Sequence, residues 1–271
     1  MDLNSAYTQW ENDNSEILER LPGKNIFLMY SGGKDSSLAM EFMRRAGEGF
    51  GFVFNAHAGA FPVHRYTEQE KERLSSYWRK RDIDILWYDM EETDASLEKA
   101  SNPCHVCQQV RKNMLAKILK ETIDHWEKLV LVPCYSLWDI VSYSMEHILG
   151  DIYGAGEENS DAGKSRRFLE TAQRFYPSII MEDGYMVFRP LIKFNGSDIL
   201  NMVKEEGIPY LSIPCEYKNF RPKRLLEYYY EKMELRFQYD QVINFAKTSL
   251  ALPPIAGYTA MTKDKYLREV F

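Results

Sequence analysis

The chain has 271 residues, 45% hydrophobic and 27% charged, enough for one large α/β domain with small appendages. Its net charge of −6 argues against a large, uniformly basic nucleic-acid surface, though not against a local patch. No apolar run reaches the roughly eighteen residues of a membrane span.

The opening stretch, MDLNSAYTQWENDNSEILERL, is polar and acidic, unlike a signal peptide, so a cytoplasmic location is expected. Tyr7, Trp10, Ile17, Leu18 and Leu21 predict an amphipathic helix within residues 1–23, closed by Pro22-Gly23. Ile26 to Tyr30 is an apolar run with the length of a buried parallel strand. Ser31, Gly32, Gly33, Lys34, Asp35, Ser36 and Ser37 follow, and then Leu38, Met40, Phe42 and Met43 recur at helical spacing. Strand, glycine turn and helix start make an anion cradle: glycines let backbone N–H groups approach, and the helix N-terminus adds positive charge. The hydroxyls of Ser31, Ser36 and Ser37 can donate to phosphate oxygens. The loop is too short for G-x-x-x-x-G-K-S/T, and it is not G-x-G-x-x-G.

Further strands are read at 51–57, 82–90, 129–134 and 186–192, with helices at Thr67–Arg81 and Ser197–Glu206. Thr67 with a glutamate three residues on is a capping box. Strands alternating with helices predict an α/β fold, a doubly wound, mostly parallel sheet of about five strands. Ligands in such sheets lie outside the carboxyl ends of the strands. Asp151–Asp183 reads as a flexible excursion over that end. From Pro222 onward one or two helices are expected, with tyrosines as packing, and the stretch from Ala251 carries no interpretable signal.

The four cysteines are Cys104, Cys107, Cys134 and Cys215. In a reducing compartment they are better metal ligands or catalytic thiols than disulfides. Asn102-Pro103-Cys104-His105-Val106-Cys107 opens a basic helix, and a CxxC there reads as a redox dithiol, half a zinc site or part of an iron–sulfur site. The redox reading would place it after a first strand, whereas here it follows the third. A third cysteine stands downstream, in Ile213-Pro214-Cys215.

Ser31–Ser36 matches S-G-G-x-D-S, the signature of the PP-loop ATP pyrophosphatases. SGGKDS, then CxxC on a basic helix, then RPL within MVFRPLI, then IPYLSIPC, together resemble the tRNA 2-thiolation enzymes of that superfamily. The nearest branch is the 2-thiocytidine tRNA synthetase group, and the resemblance spans roughly residues 20–230. It implies a PP-loop domain over residues 24–215 and a C-terminal helical extension over 216–271. It also implies ATP held by Ser31–Ser37, Mg²⁺ near Asp35, and a [4Fe–4S] cluster on Cys104, Cys107 and Cys215. Zinc is the alternative metal. His57 would line the adenine pocket and Arg189, in the RPL segment, would touch phosphate or substrate. The implied activity is ATP-dependent replacement of a carbonyl oxygen by sulfur on a tRNA base. The sulfur would come from a protein persulfide or free sulfide, and a homodimer is compatible.

Where the family has a Gly-His-x-x-Asp-Asp type segment, this chain has Cys134-Tyr135-Ser136-Leu137-Trp138-Asp139; the histidine is absent and Trp138 replaces the first aspartate. Cys134 reads either as a buried small hydrophobe or as a persulfide-carrying thiol. Arg111 and Lys112 read as facing the cluster pocket or as a solvated helix face. Lys218, Arg221, Lys223 and Arg224 form a basic patch with an RNA role or scattered surface charge. His105 tunes the CxxC site, and His64, His125 and His147 default to surface or packing. A small-molecule acceptor, and a zinc- or redox-sensing nucleotide-binding protein, are the rival functions.

Overall fold

The computed structural model describes residues 2–153 and 171–269. Helix α1 (Leu3–Leu18) starts on the Asp2 side chain, which accepts from the Ser5 N–H. Then come β1 (Asn25–Met29), α2 (Lys34–Phe50), β2 (Asn55–Gly59), α3 (Glu68–Arg79), β3 (Ile85–Tyr88), the short α4 (Ala95–Glu98) and α5 (Pro103–Thr122). After β4 (Leu129–Val132) and α6 (Leu137–Tyr153) come β5 (Ser178–Ile180), β6 (Met186–Phe188) and α7 (Gly196–Glu205). The C-terminal extension is α8 (Pro222–Lys232), α9 (Tyr239–Ser249), α10 (Ala256–Thr259) and α11 (Lys263–Glu269).

The sheet has six strands in the order β3-β2-β1-β4-β6-β5. All pairs are parallel except β5 with β6, so the expected parallel core gains an antiparallel edge. The sequence reading missed β5, which falls within the expected excursion; residues 154–170 of that excursion lie outside the described residues. The second strand begins at Asn55 rather than Gly51, because Gly51, at φ +75°, ends α2 in a left-handed turn that glycine adopts without strain.

Alternation along the strands separates two cores. Ile26, Leu28, Val130, Val132, Met186 and Phe188 pack with α1, α2, α3 and α7 on one face. Phe27, Leu129, Leu131 and Val187 pack with α5, α6 and α9–α11 on the other. Helices on both faces are the doubly wound arrangement expected. Trp10 is 2% exposed and donates its indole N–H to the Pro190 carbonyl at 2.7 Å, fastening α1 beyond the end of β6. Of the one or two helices expected after Pro222, two are present; Tyr230 is buried as expected, but Tyr228 and Tyr229 are exposed rather than packed. The stretch without signal also contributes, through Tyr258 and Tyr266 in the second core.

Two predicted site residues belong to this second core. Arg189 is 1% exposed. Its guanidinium donates to the Tyr176 carbonyl at 2.9 Å, to Gln173, and to the Tyr266 hydroxyl. The RPL arginine therefore fastens the C-terminal extension rather than contacting phosphate, because β6 turns its side chain into the helix-covered face. His57 stacks on Phe27 at 3.6 Å and its Nδ1 lies 2.8 Å from the Tyr88 hydroxyl. It is a core histidine rather than the lining of an adenine pocket, since β2 directs it to the α5 face while Ala56 and Ala58 face the other way.

Burial pushes the His57 imidazole down to about 4. The unfolded chain, with histidine near 6.5, binds more protons than the folded one between those values. Stability should thus be full above about pH 6.5 and fall by up to about 3 kcal/mol as pH drops to about 4. Urea unfolding at pH 7 and pH 4.5 checks this: the loss should shrink in His57→Phe, whose ring takes no proton.

Candidate nucleotide and thiol site

The SGGKDS loop leaves the carboxyl end of β1, the central strand, and enters α2. Gly33 caps α2 without a side-chain hydrogen bond, leaving first-turn N–H groups to a ligand or water. Gly32 has φ +68°, and a Cβ there would stand 2.7 Å from Leu211 Cγ. The turn thus requires glycine twice, for conformation and for space. Ser31, Gly33, Lys34 and Asp35 are half-buried, and Ser36 and Ser37 are buried. Ser36 Oγ donates to the Gly33 carbonyl at 3.0 Å and lies 3.1 Å from Ser31 Oγ. Ser37 corrects one expectation: its hydroxyl donates to the Pro209 carbonyl at 3.0 Å, so it builds the loop rather than facing a ligand. Lys34 Nζ lies 2.5 Å from Asp35 Oδ1.

The segment from Pro209 to Cys215 runs directly from this cradle to the thiols. Leu211 N–H donates to the Gly32 carbonyl at 2.7 Å. Glu70 accepts from the Ser212 N–H at 3.0 Å and hydroxyl at 2.8 Å. Arg73 donates to the Tyr210 carbonyl and Arg65 to the Ile213 carbonyl. His64 Nε2 accepts from the Glu216 N–H at 3.2 Å, which leaves Nδ1 as the donor to Asp94, 2.9 Å away. Thr67 caps α3 as predicted, accepting from the Glu70 N–H, but Glu70 does not close the box because its carboxylate is spent on Arg73 and Ser212. The sequence reading gave Glu70 only its capping role and left His64 to surface or packing; the partners that tie them to the cysteine loop, Ser212 and Glu216, lie 142 and 152 residues away, so no local pattern signals them.

Cys104 and Cys107 sit in the first turns of α5, whose start is capped by Asn102 accepting from the His105 N–H. Cys104 Sγ donates to the Tyr217 carbonyl at 3.5 Å, joining this turn to the Cys215 loop. All three thiols are half-buried. Burial raises the Cys104 and Cys107 thiols above the usual range, and the neighbouring Cys215 raises both further. Arg221 opposes this at both thiols and Arg111 at Cys107, which puts Arg111 on the thiol side of α5. The donor set suits a thiolate-bound metal or cluster. Among the described residues, however, no group of three or more His, Cys, Asp or Glu closes around a common metal position. Cys134 is separate: it donates weakly to the Met29 and Val132 carbonyls beneath the loop. Burial and the Asp35 carboxylate raise its thiol well above the ordinary value, so it is a poor nucleophile.

No family model matches the chain, and no curated protein matches it. Among solved structures it is similar to the U34-tRNA thiolase NcsA from Methanococcus maripaludis with its [4Fe-4S] cluster. That likeness has 15% identity and a TM-score of 0.57, over 97% of this chain and 82% of the other. It is also similar to NMN synthetase from Francisella tularensis, at 11% identity and a TM-score of 0.47, over 97% of this chain and 99% of that one. Sheet order, cradle and the likeness to the thiolase define an α/β fold of the PP-loop type. No helix among the described residues is long and apolar enough to cross a membrane.

Arg73 and two hydrogen bonds from Ser212, against the opposing effect of burial, hold the Glu70 carboxyl at about 2, against about 4.3 unperturbed. The Ser212 clasp should be intact above about pH 4 and lost as pH falls through about 2. Glu70→Gln should cost about 1–3 kcal/mol, as loss of a charged hydrogen-bonding group does. It should also speed iodoacetamide labelling of Cys215 at pH 7; an unchanged rate would mean the clasp does not hold the cysteine loop.

Proposed function

We propose that this chain is an ATP-dependent sulfur transferase that thiolates a tRNA base. One observation carries the reading: a single segment is hydrogen-bonded to the SGGKDS loop through Pro209 and Leu211, and four residues later supplies Cys215 to the Cys104–Cys107 helix end. Nucleotide activation and thiol chemistry are thus joined by one short, anchored piece of chain. The thiolase of the same fold carries a [4Fe-4S] cluster, which supports the thiolate assignment without deciding the metal.

The half-buried loop and the start of α2 would cradle the pyrophosphate end of ATP, with Lys34 as a cation and Asp35 as a carboxylate for Mg²⁺. The base's carbonyl oxygen attacks the α-phosphorus, the bond to the bridging oxygen of the β-phosphate breaks, and pyrophosphate leaves. The loop's part is to stabilise the charge on that leaving group. Hydrosulfide then adds to the activated carbon, AMP departs with the former carbonyl oxygen, and loss of the remaining proton leaves the C=S group. Cys104, Cys107 and Cys215 would hold the cluster, which when bound supplies an iron site for sulfide.

Protein purified without oxygen should be brown with about four irons per chain; colourless protein with stoichiometric zinc would count against the cluster. ATP should be cleaved to AMP and pyrophosphate. Asp35→Ala should slow this on the order of 10²–10³-fold, the effect of removing one preorganised electrostatic group. Binding of tRNA should weaken steeply with salt; salt-insensitive or absent binding favours a small-molecule acceptor.

A further inference from the structure

The cradle is not built from the N-terminal half alone. Lys34 Nζ lies over Gly196, where a Cβ would come within 3.3 Å of it and within 2.7 Å of the Trp138 ring. Trp138 is buried, donates to Asn195, and meets Tyr230 of α8 edge to face at 5.7 Å. This places α8 over the side of the loop. One and two turns before Tyr230, the same helix carries Glu227 and Lys223. The Lys223 ammonium pairs with Asp139 of α6 and lies 3.3 Å from Glu227; its side chain is only 12% exposed, and that of Asp139 only 3%. Asp139 is fixed in turn by the Ser136 N–H and hydroxyl, both at 2.8 Å. Arg224 pairs with Glu227 on the outer side.

These groups form one charge cluster with the loop. Burial lowers the pKa of the Lys223 ammonium; Glu227 and Asp35 support its charge, and Lys34 opposes it. Glu227 feels Lys223, Arg224 and Lys34, which together outweigh its burial and keep its carboxyl low. Three cations (Lys34, Lys223, Arg224) and three carboxylates (Asp35, Asp139, Glu227) therefore balance at the loop's edge. A lysine held by side-chain carboxylates at the loop's edge can exchange them for phosphate oxygens, which accept charge-assisted bonds of the same kind.

We propose that Lys223, carried on the C-terminal extension, is a second phosphate-binding lysine of the ATP site, exchanging Asp139 and Glu227 for polyphosphate oxygens when MgATP enters. The proposal rests on the reading of SGGKDS as an ATP cradle. It makes the extension part of the nucleotide site rather than an appendage, and it requires no bond to form or break.

Calorimetric titration of the full chain with MgATP, pyrophosphate and adenosine tests it. Lys223→Gln should weaken ATP and pyrophosphate about 10- to 100-fold, the worth of one charge-assisted hydrogen bond, and leave adenosine within about twofold. Lys223→Arg should restore most of the loss. Unchanged ATP affinity in Lys223→Gln, or equal loss of ATP and adenosine, overturns the proposal; the second outcome makes Lys223 a packing anchor. Should Lys223→Gln fail to fold, Glu227→Gln decides: relieved of one competitor, Lys223 should bind ATP and pyrophosphate more tightly with adenosine unchanged, and unchanged or weaker binding of ATP refutes the exchange. Wild-type protein without ATP affinity would remove the cradle reading itself, whereas ATP binding without thiolation would remove only the sulfur-transfer reading.

Discussion

The hydrogen bond from the Leu211 N–H to the Gly32 carbonyl links the two halves of the site. It forms because Gly32 takes a positive φ and carries no side chain, so the Leu211 backbone and side chain can lie against the loop. Ser37 repeats the link one helical turn on, through the Pro209 carbonyl. Together they fix where the 209–215 segment leaves the cradle, and so how near Cys215 comes to the start of α5. A side chain at Gly32 would disturb the phosphate turn and the cysteine loop at once. Glu70, Arg73, Arg65 and His64 then fasten successive residues of that segment to the α3 side.

The same economy governs the C-terminal extension. The second core would be open along β5 and β6 without Ala246, Tyr258 and Tyr266. Arg189 is buried there among a carbonyl, an amide oxygen and a phenol, with no carboxylate among its described hydrogen-bond partners. Burial lowers its pKa, though a guanidinium keeps its charge, and such a group is held only where its acceptors are well placed. The sheet's antiparallel edge and the extension thus depend on one another.

How much of this was legible in the sequence follows from which interactions are local. The β1 run, the SGGKDS turn and the helical spacing of Leu38, Met40, Phe42 and Met43 are contiguous, and each was readable where it stands. The thiol convergence was readable because the CxxC spacing is local, and because the resemblance, rather than any periodicity, joined Cys215 to it. What failed was side-chain destination. Strand parity decides that His57 and Arg189 enter the second core, yet a histidine or arginine at a strand end gives no sign of which face is covered by helices. Trp138, by contrast, makes sense of a departure that the sequence left unexplained: an aromatic there is the seat on which Tyr230 docks α8.

The basic patch after Cys215 changes meaning for the same reason. In the sequence Lys218, Arg221, Lys223 and Arg224 form one run of positive charge, open to an RNA role. Folding divides them. Lys223 turns inward to Asp139, Arg224 is drawn to Glu227, and Arg221 sits where its charge is felt by the Cys104 and Cys107 thiols. Lys218 is the member of the four that stays exposed, with no ion pair to a carboxylate among the described residues. Three of the charges are therefore drawn to the site itself, which no run of basic residues in a sequence can reveal, because their acidic and thiol partners come from α6, α5 and the next turn of their own helix.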